Sequence, residues 1–282
     1  MVHRGCSYLF VVAVGLLSAA SARSSCVGAE EGLSQVQRSL AQGRIQSAVD
    51  RLSGLTASHP KCPPVVAMQA QFFARQGMAR EAEEWFLRAV ELVPDQPEVH
   101  FHLGVFYDGR QQHAKAAERF RRVLSLAPSD PQAYDYLALS LEAQGQFDKA
   151  EAAYRMGLAR NSGPRFDPML HYNYARYLMK RSRLAEARSH LDEAVRQAPS
   201  VRAVHYERAR VAERLGDLQG ARMHAERALQ LEDRGGVILD MQVYYLLSRL
   251  YRALGEDELA ARYTALSQKA EIPIDARRRS GR

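Results

Sequence analysis

Residues 65–128, VVAMQAQFFARQGMAREAEEWFLRAVELVPDQPEVHFHLGVFYDGRQQHAKAAERFRRVLSLAP, hold a pattern that is completed and then begun again 34 residues later. Gly77, Ala82, Phe86, Ala89 and Pro94 return as Gln111, Ala116, Phe120, Val123 and Pro128, and Pro60 stands one further period upstream. A fixed period of this size predicts stacked helical hairpins, none of which can bury its apolar face alone.

Working outward from this stretch, an alanine keeps the beat along the chain: Ala48, Ala82, Ala116, Ala150, Ala187, Ala221 and Ala260, at spacings of 34, 34, 34, 37, 34 and 39. Five residues before each comes a residue suited to a turn: Gly43, Gly77, Gln111, Gly145, Ser182, Gly216 and Gly255. Glycine accepts the left-handed conformation that ends a helix, so these positions predict the turn inside each hairpin, and the alanines mark close approach of the second helix. The apolar residues fall at helical spacing. Leu103, Tyr107, Phe120 and Leu124 alternate with Glu118, Arg119, Arg121 and Arg122, and Tyr134, Leu137, Leu141, Tyr154 and Leu158 repeat the pattern one unit later. Proline punctuates the seams, at Ala127-Pro128-Ser129-Asp130-Pro131 and Ala198-Pro199-Ser200. Two insertions lengthen the period, near Ser162 to Arg165 and near Arg234 to Gly236, and both predict longer loops between units.

Leu103-Gly104, Tyr107, Ala116, Phe120 and Pro128, with a looser set at Ala175, Ala187, Leu191, Ala194 and Pro199, make the chain resemble a tetratricopeptide repeat protein. Seven units cover about Ala29 to Lys269. The first departs from the family pattern at Val36 and Ser39, and the fourth, sixth and seventh lack the closing proline at its expected place. The resemblance implies an all-α fold, a right-handed superhelical solenoid of stacked helix-turn-helix repeats, and a protein-binding role.

The first residues read as an address. Arg4 supplies a positive start, Tyr8 to Ala20 a short apolar run, and Ala20-Ser21-Ala22 the small residues a signal peptidase needs, which predicts export and cleavage after Ala22. Retention of the run as an anchor is the weaker reading, since it is short for a span of about 20 residues, and no stable transmembrane insertion is expected. The expected organisation is a signal peptide at 1–22, a linker at 23–28, four repeats over 29–162, three over 163–270 and a basic tail at 271–282. The formal charge of +7 owes much to that tail, where Arg277, Arg278, Arg279 and Arg282 fall, and it favours acidic partners without naming one. Cys6 leaves with the signal. Cys26 and Cys62 flank the open end of the first hairpin, and a disulfide there is predicted for an oxidising compartment.

In a solenoid of this kind the first helix of each hairpin lines the concave side, where peptides and other proteins bind. In the amino half the inward places hold Leu33 and Gln37, Ala67 and Gln71, Phe101 and Val105, Asp135 and Leu139. In the carboxyl half they hold Tyr172 and Arg176, Tyr206 and Arg210, Tyr245 and Arg249. Tyr and Arg four residues apart share a helix face, so three successive units predict a ladder of planar cationic donors and amphipathic rings, suited to an extended acidic segment or a chain carboxyl end. Stacking of each Arg on its own Tyr, or pairing with Glu207 and Glu213, is the competing reading. The Lys and Asn clamp for terminal carboxylates known in the family is not matched, because the corresponding places hold Leu33, Ala67, Phe101 and Asp135.

Nothing in the sequence reads as a catalytic, cofactor or metal site. His100, His171 and His205 occupy equivalent places and are expected to pack between helices, as are Trp85 and Phe86. The expected function is a non-catalytic scaffold, periplasmic or secreted, that holds a protein or peptide partner during envelope assembly or secretion. A glycan or cell-wall-binding module and an accessory subunit of an envelope enzyme are the alternatives. A nucleic-acid partner suits the charge but not the address.

Overall fold

The computed structural model describes residues 26–161, 167, 169–232 and 238–270. The signal segment, the basic tail and both insertions lie outside them, apart from Asn161 and Asp167, which flank the first. Fourteen helices are described, in seven pairs: α1 (Ala29–Ala41) and α2 (Ile45–Ser58), α3 (Pro63–Arg75) and α4 (Ala79–Leu92), α5 (Pro97–Gly109) and α6 (His113–Leu126), α7 (Pro131–Ala143) and α8 (Phe147–Leu158), α9 (Leu170–Lys180) and α10 (Leu184–Gln197), α11 (Arg202–Arg214) and α12 (Leu218–Gln230), α13 (Asp240–Ala253) and α14 (Asp257–Lys269). The residues form two compact units, one through Ala150 and one from Glu151, with the boundary inside α8. The break expected from the insertion lies about a dozen residues further on.

Every hairpin turns in the same way. The seven expected turn residues all take positive φ, the two that are not glycine included, Gln111 at 60° and Ser182 at 61°. The residue after each donates its backbone N–H back to the carbonyl five residues earlier, as in Arg44 to Ser39 at 2.9 Å, Gln112 to Tyr107 at 2.9 Å and Glu256 to Tyr251 at 2.9 Å. This bond satisfies a carbonyl that the end of the helix leaves bare. At the other end, Pro63, Pro97 and Pro131 open α3, α5 and α7, where the missing N–H costs nothing. Asp130 adds a side-chain cap, accepting from Ala133 N at 3.1 Å.

The seven beat alanines are all buried, none more than 2% exposed. Within a hairpin the first helix carries a small buried residue and the second helix answers it 16 residues later. Gly104 faces Phe120, and a Cβ built on the glycine would stand 2.8 Å from the ring. Ala70 and Phe86, Ala138 and Tyr154, and Ala175 and Leu191 hold the same two places, and every one of these residues is buried. The departure at Val36 is answered by a smaller partner, Leu52, so the volume is shared differently rather than lost.

In the amino-terminal unit α2 packs on α3, α4 on α5 and α6 on α7, so each hairpin rests on the next. Tyr107 Oη on α5 donates to Glu83 Oε1 on α4 at 2.9 Å, and Lys115 Nζ reaches the same carboxylate at 3.2 Å. Ala29, Leu33, Val36, Ala48 and Leu52 of the first hairpin form one core with Val65 and Met68 of α3, and the disulfide between Cys26 and Cys62 closes the hairpin's open end. In the carboxyl-terminal unit α10 packs on α11 and α12 on α13, and the first helix α11 also meets α9 on one side and α13 on the other. Tyr174 Oη donates to Glu151 Oε1 at 3.1 Å, and Arg183 Nη1 to the same oxygen at 2.7 Å. Around the first insertion, Asn161 and Asp167 exchange bonds of 2.8 and 2.7 Å, and Asp167 accepts from Met169 N at 2.9 Å. No helix among the described residues is long and apolar enough to cross a membrane.

Candidate functional site: the tyrosine and arginine ladder

The meeting of α9, α11 and α13 sets Tyr172 and Arg176, Tyr206 and Arg210, and Tyr245 and Arg249 at one register on three neighbouring helices. Each guanidinium lies over the ring four residues before it: Arg176 is 5.5 Å from the Tyr172 centroid, Arg210 5.8 Å from Tyr206 and Arg249 5.7 Å from Tyr245. Acidic neighbours engage them too. Arg210 Nη1 donates to Glu207 at 2.8 and 3.1 Å, and Arg176 Nε stands 4.0 Å from the same carboxylate. Arg249 Nη2 donates to Glu213 at 2.6 Å, and Arg214 Nη1 to the Met179 carbonyl at 3.2 Å. The stacking and pairing of the competing sequence reading are therefore both present.

They do not use up the donors. Arg210 spends one nitrogen on Glu207 and Arg249 one on Glu213, out of five N–H groups each. Their side chains remain 45% and 48% exposed, whereas Glu207 keeps only 7%. The carboxylates thus act from beneath. They hold the Arg210 and Arg249 forks in place while the outer N–H groups of both face solvent.

The tyrosines are graded along the row. Tyr172 is buried at 4% exposure, Tyr206 is half-buried and Tyr245 stands 58% exposed. Burial raises the Tyr206 phenol above its ordinary range and keeps it neutral, with Arg210 opposing the shift. Tyr206 and Tyr245 also wall a cavity of about 340 Å³, completed by Met241, Gln242 and Ser267. This cavity was not read from the sequence. Met241 and Gln242 lie one helical turn before Tyr245, and that spacing was the available signal. Ser267 comes from the next helix and gave none.

Phe101 belongs to the other unit. There it is half-buried in an aromatic cluster, 5.6 Å from Phe120 and 5.2 Å from Tyr136, both edge-on, so much of its ring serves packing. Asp135, at another inward place, is buried. Trp85 is half-buried rather than fully core, with Arg88 over its ring at 5.0 Å.

Helical hairpins joined by one repeated turn and stacked through small residues define a helical repeat solenoid. The chain belongs to the tetratricopeptide repeat family, whose sequence profile matches residues 33–97, 103–164 and 172–236. Among solved structures it is similar to PilW, described as a widely conserved type IV pilus biogenesis factor, at 19% identity and a TM-score of 0.62, over 73% of this chain and 92% of that one. It is similar to pilF of Pseudomonas aeruginosa at 15% identity and a TM-score of 0.62, over 77% and 96% of the two chains. A tetratricopeptide repeat protein from Parabacteroides merdae aligns at 16% identity and a TM-score of 0.61, over 89% and 96%. At these identities the common property is the fold. No protein of curated function matches the sequence.

Proposed function

We propose that the protein is a non-catalytic scaffold, exported to the periplasm or beyond, that holds a partner protein through an extended acidic segment laid along α9, α11 and α13. The observation that carries this reading is the row of Arg176, Arg210 and Arg249, each oriented by its own tyrosine and two of them about half exposed beside the cavity at Tyr206 and Tyr245. A carboxylate-bearing strand would meet pre-oriented donors, and one apolar side chain of it fits the cavity. The disulfide supports an oxidising compartment. Similarity of fold to PilW and pilF makes envelope assembly the setting to test first.

The test is a crosslinked pull-down from the exported fraction, wild type against an Arg210→Gln, Arg249→Gln double variant. Glutamine keeps a donor for Glu207 and Glu213, so neither carboxylate is stranded, and circular dichroism checks that the variant folds. Loss of a partner by tenfold or more in the variant alone supports the ladder as the binding face, consistent with about 1.5–3 kcal/mol per charged hydrogen bond. An unchanged partner list overturns it.

A further inference from the structure

Two histidine pairs occupy the same place in successive hairpins. His171 on α9 meets His190 on α10 with Nδ1 atoms 2.9 Å apart, and His205 on α11 meets His224 on α12 with Nδ1 atoms 3.1 Å apart. The ring centroids are 5.1 and 5.4 Å apart. Other hairpins fill the two positions differently, with Tyr244 and Tyr263 in the last and His100 and Arg119 in the third. Packing alone therefore does not require imidazoles there. Sequence reading saw His171 and His205 as packing groups because their partners sit 19 residues away on another helix, a separation with no helical periodicity.

Two imidazole nitrogens at this distance cannot both carry hydrogen; one donates and the other accepts. In the second pair the roles are fixed. His205 Nε2 lies 3.1 Å from the Pro199 carbonyl, which can only accept, so the His205 proton is on Nε2 and its Nδ1 lone pair points at His224. A ring whose far nitrogen donates to a backbone carbonyl while the near one is bare is the arrangement in which metal-bound histidines are held. The spacing also fits. With metal to nitrogen bonds of about 2.0–2.1 Å, separations of 2.9 and 3.1 Å correspond to bite angles of roughly 90–100°.

We propose that each pair is a two-imidazole site for a late first-row divalent cation, Cu²⁺ before Ni²⁺ or Zn²⁺, bound through the paired Nδ1 atoms. The cation sits beside the line between the two nitrogens, each ring turning its Nδ1 lone pair toward it, and the shared hydrogen is displaced. The donor ring moves its proton from Nδ1 to Nε2, both ligands stay neutral, and two waters leave the aquo ion. His171, His190 and His224 are half-buried and His205 is buried, so the rings are reachable from one side. Burial holds all four rings below the usual imidazole range, with His171 and His224 at about 4, so at neutral pH the cation displaces no bulk proton. Glu193 and Arg196 face His171; Glu186, Glu193 and Arg183 face His190; Arg227 faces His205; and Asp192, Asp217 and Arg208 face His224. The charges around each pair include acids that moderate the cost of a cation. With two imidazoles each, the sites leave the cation's remaining positions to water, and among the described residues no group of three or more His, Cys, Asp or Glu side chains could hold a metal.

The experiment titrates the untagged mature chain, beginning at Arg23 and so without the copper-chelating Met1-Val2-His3 terminus, with CuCl₂ in a non-chelating buffer by calorimetry, beside His190→Gln, His224→Gln and the double variant. Two equivalents in wild type, one in each single variant and none in the double variant are expected. No binding by wild type, or the same stoichiometry in the double variant, overturns the proposal. Should a variant fail to fold, long-range ¹⁵N correlation spectra of wild type with ZnCl₂ decide the matter. Loss of the Nδ1 lone-pair signature in these four rings supports it, and perturbation confined to Nε2 atoms or to His59, His100, His102 and His113 overturns it.

Discussion

Gly104 and Phe120 show how a single side chain sets the distance between two helices. The ring is fully buried and held on its other sides by Phe101 and by Tyr136, whose centroid is 5.3 Å away, so it has nowhere to retreat from a methyl group at 2.8 Å. Gly104→Ala gains about 1 kcal/mol of helix propensity, but overpacking of a filled core costs about 1–3 kcal/mol. We expect a net destabilisation of about 1 kcal/mol, read from the urea midpoint. Phe120→Leu in the same chain should return most of the strain term in a double-mutant cycle, whereas additive losses would show that the two residues do not touch. The glycine was legible from its place in the repeat. Its reason was not, because the opposing atom lies on the next helix.

At the scale of the helix, the seven turns share a conformation, but two of them reach it with residues that carry a Cβ. Gln111 and Ser182 stand at φ 60° and 61°, a region that costs an L-residue about 1–2 kcal/mol relative to glycine. Part of this is recovered on substitution and part is lost to the greater freedom of glycine in the unfolded chain. Gln111→Gly and Ser182→Gly should each raise stability by about 0.5–1 kcal/mol in denaturant unfolding. No change in either would mean that the side chains are making compensating contacts. Turn positions were readable in sequence because the αL requirement shows itself as a beat of glycines, and the beat identified the two substitutes by position alone. The ladder was readable for the same reason, since Tyr and Arg at i and i+4 share a helix face. The cavity beside Met241 and the histidine pairs were not, because each depends on which side chains two different helices bring together.

For the whole chain, stability is a sum over neighbours, and a terminal hairpin has one neighbour fewer. The Cys26–Cys62 bond, spanning 36 residues, compensates at the amino end by restricting the unfolded chain, worth about 3–4 kcal/mol in the loop-closure estimate. Reduction should therefore speed amide hydrogen exchange in α1 and α2 well before α5 and α6, as followed by mass spectrometry. Uniform acceleration, or none, would show that the bond does not hold that hairpin. The 34-residue period carries the fold class, while the compact units divide between Ala150 and Glu151, inside α8, at a place where no break in the repeat marks the boundary in the sequence.

The sameness of the seven turns bears on how such a gene can change. Each block from one turn residue to the next, such as 77 to 111, begins and ends in the same backbone geometry, so it can be duplicated or lost without leaving a mismatched junction. The reach of the binding face is then set by copy number, while chemical identity is set separately, at the few inward positions of each copy. That separation lets ancestry lengthen the protein in one kind of event and retune its ligand in another.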